Sequence, residues 1–324
     1  MNAKQKKMLS DNAIWLILVV LIIVMTIANG NFFTVANLRT LLTGESIKGI
    51  MAFGVAFAIL TKGIDLSMGA VAALVACVSG ALVQPADLAT KVLGIGPIPS
   101  VVAILIGIVM GAAIGAIIGW LIAYTKIPAF IATLGAQLIC RALAKMFTAR
   151  PVSNLSDGYR FLGSGTILGI PMIVIVFLIL LALTAFILTQ TRFGKSLYAI
   201  GGNAQAARVA GINVELNLVK VHIWCSIMAA IGGILLAGRA GSADPANSGL
   251  NYELDGIAAA TVGGTSHSGG ICRISGVLCG ILILGVVNNG LVLMGVDDNM
   301  TNVIKGLIII GAVVMDMRKN VKKV

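Results

Sequence analysis

Of the 324 residues, 58% are hydrophobic and only 11% charged, against about 25% charged in an ordinary globular domain, and the mean hydropathy is +1.03. That excludes a soluble enzyme or binding module and leaves one membrane domain over residues 1–324. The net charge of +11 does not read as a nucleic-acid surface. The basic residues collect at Lys4, Lys6 and Lys7, at Arg318, Lys319, Lys322 and Lys323, and in a loop at 191–219, the pattern that holds basic segments in the cytoplasm. Strand-length alternation between turn clusters is missing, so the expected class is all-α: a polytopic bundle of about ten transmembrane helices with short or broken segments and both termini cytoplasmic.

The apolar run Ala13–Ala28 follows the N-terminal lysines without a cleavage pattern and reads as an uncleaved first helix. Asn29–Leu42 reads as a connection with an interfacial helix, and Ile47–Leu60 as the second apolar run. Lys62-Gly-Ile-Asp-Leu-Ser-Met-Gly69 breaks it before Ala70–Val83 resumes, because an unpaired charge facing hydrocarbon costs at least about 2.5 kcal/mol. The break is either a cytoplasmic turn or an unwound segment lining a cavity.

Gln84–Ser100 is expected outside. Val101–Tyr124 carries Gly107, Gly111, Gly115 and Gly119, a small-residue row that lets a neighbouring helix approach closely. Lys126-Ile-Pro makes an inside turn, and Phe130–Met146 returns outward with Arg141 and Lys145 snorkelling near its far end. Thr148–Thr166 is external, and Ile170–Leu188 leads back to the basic loop. There Asn203 is expected to cap a helix over Ala204–Ala210 that Gly211 ends. About two turns long, such a helix needs something packed on it to persist, and it looks like a handle for another protein.

Lys220–Gly238 then crosses outward and Arg239–Asn251 makes an external turn. Tyr252–Gly264 is too short to span as a full helix and is followed by a second glycine loop, Gly263–Gly270. Ile274–Met294 and Asn302–Met317 complete the crossings. Gly63-Ile-Asp-Leu-Ser-Met-Gly69 and Tyr252-Glu-Leu-Asp-Gly-Ile-Ala258 form a pair of acidic breaks, one in each half, of the kind that marks a pathway in duplicated transporters.

Few residues offer chemistry. Gly194-Lys195-Ser196 imitates the end of a phosphate loop, but the pattern needs glycine where Thr189 stands. No catalytic constellation and no cofactor site appears, so an ATPase driving transport must be another chain. The five cysteines include no Cys-x-x-Cys pair and read as core residues. His222 and His267 have no second ligand at metal spacing, so no metal is assigned. The acidic residues Asp65, Glu253 and Asp255 fall in breaks near span ends, which speaks against ion-driven transport, and Lys305 is read as a lone charge in a late span, its stem packed in the bundle with the head near an interface, a pathway role being the alternative.

Five stretches now occur in one order: Gly63-Ile-Asp-Leu-Ser-Met-Gly69; Arg192-Phe-Gly-Lys195 with Gly201-Gly-Asn203 and Arg208-Val-Ala-Gly-Ile-Asn213; Tyr252-Glu-Leu-Asp-Gly-Ile-Ala-Ala259; Gly263-Gly-Thr-Ser266 with Gly269-Gly270; and Gly285-Val-Val-Asn-Asn-Gly290. Together they resemble the permease subunits of monosaccharide ABC importers, the ribose, xylose and galactoside family, over nearly the whole chain. The resemblance implies a non-enzymatic, multi-pass permease of the bacterial cytoplasmic membrane that moves a monosaccharide by alternating access. It implies three partners besides lipid: a cytoplasmic ABC ATPase, an extracytoplasmic sugar-binding protein and a second permease copy. It makes 191–219 the coupling loop, with Arg192, Gly194, Lys195, Asn203, Arg208 and Gly211 facing the ATPase. Asp65, Ser67, Asn288 and Asn289 are the expected pathway residues, although backbone caps and interhelical hydrogen bonds are the competing reading for all four.

The chain departs from the family pattern at two places. Many members carry Glu-Ala-Ala ahead of the arginine where this chain has Ala204-Gln205-Ala206-Ala207, and the second loop ends in Gly270-Ile-Cys-Arg273. Three alternatives stand beside the main reading: related permeases for an autoinducer-type furanosyl compound, a nucleoside or a branched-chain amino acid; an ion-driven carrier or channel acting alone; and a membrane-embedded enzyme.

Overall fold

The computed structural model describes residues 13–89 and 91–321. The basic residues Lys4, Lys6, Lys7, Lys322 and Lys323 lie outside them. The described helices are α1 Ala13–Ala28, α2 Val35–Leu60, α3 Met68–Ala81, α4 Ser100–Thr125, α5 Ala129–Phe147, α6 Asp157–Ser164, α7 Met172–Gln190, α8 Arg192–Gly202, α9 Ala204–Val209, α10 Val214–Ala240, α11 Tyr252–Val262, α12 Ile274–Leu293 and α13 Asp298–Val321. A two-residue hairpin, β1 Thr166–Ile167 with antiparallel β2 Ile170–Pro171, precedes α7. Seven helices are long and apolar enough to cross a membrane, and α1 and α3 are shorter apolar helices. With the short α11 they make up the expected all-α bundle.

Two boundaries differ from the sequence reading. The stretch expected as a connection before Ile47 is helical from Val35, because the Thr34 side chain accepts a hydrogen bond from the Asn37 amide and starts the helix there. Likewise α10 begins at Val214, six residues before Lys220, where the Asn213 side chain accepts from the Leu216 amide.

The centre of the bundle is α10 against α2, α3 and α4. The glycine row of α4 faces it: a Cβ added at Gly115 would meet the His222 carbonyl at 2.4 Å, and one at Gly119 the Val219 Cα at 2.7 Å. The two backbones thus approach closely over about two turns, from Gly111 to Gly119, the arrangement the small-residue spacing predicts. Gly233 of α10 lies equally close to Ala72 of α3, where a Cβ would meet the carbonyl oxygen at 2.2 Å. Around this centre, Val109, Trp120, Phe130, Leu138, Phe186 and Leu307 expose large apolar side chains, as a lipid-facing surface requires.

At one end of the bundle, Tyr159 of α6 hydrogen-bonds Ser79 at 2.7 Å, Gln84 donates to the Ser153 carbonyl, and Val152 pairs with Ala243. These contacts seal the loops expected outside. The glycine loops and the break after α2 gather at the other end.

Candidate functional site

The basic loop is two helices, one of which the sequence reading missed. Thr191 caps α8 by accepting from the Gly194 amide at 3.1 Å, and a Cβ at Gly194 would meet the Ile187 carbonyl at 2.2 Å, so glycine lets α8 fold back on the end of α7. Asn203 accepts from the Gln205 and Ala206 amides, both at 3.0 Å, and starts α9. The helix ends where expected: Ile212 donates to the Ala207 carbonyl across Gly211, whose φ of +83° is the left-handed conformation glycine adopts at least cost. Arg192, Lys195, Asn203, Arg208 and Gly211 are all exposed, and Val209 is 90% exposed. Glu215, at the start of α10, hydrogen-bonds Arg208.

The second glycine loop docks on the first. Gly270 donates its amide to the Leu60 carbonyl at 2.9 Å, Tyr198 donates its hydroxyl to the Cys272 carbonyl at 2.7 Å, and Lys62 reaches the Gly202 carbonyl at 3.5 Å. Any side chain at Gly201 would strike the Leu60 carbonyl, only 1.9 Å from the ideal Cβ. Burial pushes the Tyr198 hydroxyl up to about 12, which keeps it a donor. His267 pairs with Thr261 at 2.8 Å, and Asp316 of α13 accepts from the Ser266 hydroxyl and the His267 amide, each at 3.1 Å. Burial holds the His267 imidazole below its usual range, although the carboxylate of Asp316 opposes this.

Between the break after α2 and α10 lies a buried polar cluster. Asp65 and Ser67 are fully buried; one carboxylate oxygen accepts from the Ser67 amide and hydroxyl, and the other lies 2.8 Å from His222 Nδ1. Cys225 joins them within 4.8 Å and donates to the Gly54 carbonyl. These three residues could hold a metal ion, which sequence spacing concealed because 157 positions separate the first two. Every one of them is already hydrogen-bonded to protein.

The two acidic breaks meet. Glu253, at the start of α11, is buried and accepts from Gln137 at 3.2 Å, and a Cβ at Gly69, in the first turn of α3, would meet Glu253 Oε2 at 2.1 Å and the Gly249 carbonyl at 2.3 Å. The carboxylate thus sits where two short helices present their amide ends, the place favourable to negative charge. Arg141 corrects an expectation here. It does not snorkel; its Nη1 donates to the carbonyls of Pro245, Ala246 and Ser248 and fixes the turn leading into α11.

Lys305 is not a lone charge. Its ammonium lies 3.4 Å from Asp255, which lies 3.5 Å from Lys48, which lies 3.1 Å from Glu45. The four form a chain on α2, α11 and α13, bordering a void of about 10 Å³, room for about one water, that Asn288 also lines. The expectation that acidic groups are confined to span ends fails at Glu45, ten residues inside α2. Of the four expected pathway residues, Asn288 alone borders this cavity. Asn289 exchanges reciprocal amide hydrogen bonds with Asn37 at 2.8 and 2.9 Å.

A bundle of membrane-crossing helices with an internal chain of ion pairs and exposed short helices at one end defines a multi-pass membrane permease, a transport subunit of the inner membrane. Residues 37–313 match the family described as branched-chain amino acid transport system, permease component, and the chain belongs to that family. It is 39% identical to the galactose/methyl galactoside import permease of Escherichia coli over the full length of both chains. It is 42% identical to the ribose import permease of Bacillus subtilis, covering 94% of this chain and 91% of that one. No solved structure gives a significant match.

Proposed function

We propose that this permease is the membrane subunit of an ATP-driven importer of a monosaccharide, either a hexose such as galactose or a pentose such as ribose. The observation that carries the substrate class is similarity over nearly the whole chain to permeases whose names specify galactose and ribose import. A separate ATPase docks on α8 and α9, where Arg192, Lys195, Asn203, Arg208 and Gly211 are presented with Gly194 buried beneath them. The basic side chains presented there support this reading, because Arg192, Lys195 and Arg208 are all exposed on this one pair of short helices. A solute-binding protein delivers at the opposite end, and a second permease copy completes the unit. Nucleotide-driven closure of the ATPase moves α8 and α9, and the second glycine loop moves with them through Tyr198 and Gly270.

The family description favours a second cargo, a branched-chain amino acid. Glu253 speaks against it. Paired half-helix amide ends are where a transporter holds a substrate carboxylate, and here the protein's own carboxylate sits against them. The test is uptake into proteoliposomes holding the permease, its ATPase and its binding protein. The expected result is ATP-dependent accumulation of labelled galactose or ribose that excess leucine does not reduce. Accumulation by the permease alone under an ion gradient, or of leucine in place of sugar, would overturn the reading.

A further inference from the structure

We infer that the hairpin of β1 and β2 is a lipid anchor, with Leu168 at its tip seated at the boundary between acyl chains and headgroups of the external leaflet. The inference needs the membrane-crossing bundle and not the importer reading above. It starts from a strained residue. Ile167 pairs with Ile170, so Leu168 and Gly169 alone make the turn, with φ of +50° and +82°. Both central residues of such a two-residue turn adopt positive φ, which is why Asn-Gly is preferred there. A bulky leucine in that conformation is a true outlier, and its side chain is 98% exposed. Leu168 is therefore unfavourable in the turn and gains almost nothing from its own chain, so the contact it serves lies outside the chain.

Lipid is the partner its surroundings fit. Ile167 and Ile170 flank the tip and Phe161 of α6 adds to the patch, all of them exposed, and no charged residue stands between Arg160 and Arg192. The same uncharged run continues into α7, whose exposed Ile179 and Phe186 lie two turns apart on the lipid-facing side. Length sets the depth of the tip. From Met172 to Leu188, α7 offers about 26 Å of apolar helix at 1.5 Å per residue, whereas the hydrocarbon core is about 30 Å thick. Exposed Thr189, Gln190 and Arg192 mark the cytoplasmic boundary, so a few ångströms of hydrocarbon remain beyond Met172. The hairpin crosses them: the two strand steps from Pro171 to Gly169 reach about 7 Å further. That puts Leu168 where apolar side chains enter the acyl boundary beneath the headgroups.

The anchor bears on the seal at this end of the bundle. Met172 donates its amide to the Gly165 carbonyl at 2.9 Å and ties the base of the hairpin to the end of α6. On its other side α6 lies directly on α10, because a Cβ at Gly163 would meet the Arg239 amide nitrogen at 2.1 Å, and Tyr159 holds Ser79. Helix α6 is thus fixed between the centre of the bundle and the lipid surface.

The test uses Leu168→Cys carrying an environment-sensitive nitrobenzoxadiazole label, in the full-length permease in nanodiscs of phosphatidylethanolamine and phosphatidylglycerol. The five native cysteines are buried, so the label goes to the hairpin, and replacing so exposed a side chain leaves the fold intact. A nitroxide high on the acyl chain should quench the label at least twofold more than one near the chain's end. Aqueous iodide should quench it at least fivefold less than the label's cysteine adduct free in solution. A second arm places the label on Ile167→Cys and compares Leu168 with Leu168→Asn, which suits the turn but not acyl chains; lipid quenching should fall at least twofold in the asparagine variant. Full quenching by iodide with none by either nitroxide would overturn the anchor, and so would protection that appears only when the solute-binding protein is added, which would make the tip a protein contact. Lipid quenching unchanged by Leu168→Asn would overturn the role of Leu168. None of these readouts depends on sugar uptake, which tests the importer reading separately.

Discussion

The seam between α4 and α10 and the cavity between α2, α11, α12 and α13 are both helix contacts inside one bundle, yet they are built from opposite materials. The seam has glycine on one side and bare backbone on the other, with His222 and Val219 of α10 as close as any side chain would permit. The cavity is held by long charged side chains through ion pairs of 3.4 and 3.5 Å. A backbone contact has no slack and moves as a body, whereas an ion pair between flexible side chains can break and re-form.

The largest expected effect comes from breaking the seam. Gly115→Val forces a branched side chain onto the His222 carbonyl, 2.4 Å from the ideal Cβ, and overpacking of this kind costs about 1–3 kcal/mol or more. The variant should lose its monodisperse peak on size-exclusion chromatography in detergent at temperatures the wild type survives. The cavity should respond in the opposite sense. Glu45→Leu/Lys48→Met removes a buried pair and leaves Asp255 with Lys305, so thermal stability should be unchanged or raised by roughly 1–4 kcal/mol. A large fall in melting temperature would show that the charges serve the fold, and the contrast between the two regions would disappear.

Smaller changes sharpen the comparison at the loop of short helices. Asn203→Ala removes the α9 cap and costs about 1 kcal/mol locally, so backbone amide exchange should quicken over Ala204–Val209 and not along α10. The pH dependence is the smallest effect. Burial lowers the affinity of His267 for a proton, so the unfolded chain binds more protons than the folded one just below the ordinary histidine pKa of about 6.5. Stability contributed here is complete above that value and is lost as the pH falls toward the depressed one. The melting temperature should therefore drop on acidification below about 6.5, and less so in His267→Gln.

What the sequence made legible was local. The Asn203 cap and the Gly211 stop, the four-residue glycine spacing of α4 and the glycine-rich break after Leu60 each depend on residues within a few turns, where spacing is geometry. The ion-pair chain was not legible, because nothing in the pattern around Lys305 points to Asp255, and Glu45 and Lys48 look like an ordinary polar end of an apolar run until α2 is seen to begin at Val35. Arg141 was misread for the same reason: its three carbonyl partners are more than a hundred positions away. Helix α8 escaped because its glycines read as a loop, although Gly194 and Gly201 are there for close approach to Ile187 and Leu60.

The account's central claim is that force enters at α9. The most direct measurement is the number of ATP molecules hydrolysed per sugar imported by the reconstituted transporter, for wild type and Arg208→Glu. Arg208 is exposed and pairs only with nearby Glu215 among the described residues, so the reversal leaves the bundle intact. The account predicts that the ratio rises at least tenfold, or that the ATPase no longer co-purifies. An unchanged ratio with undiminished uptake would contradict it.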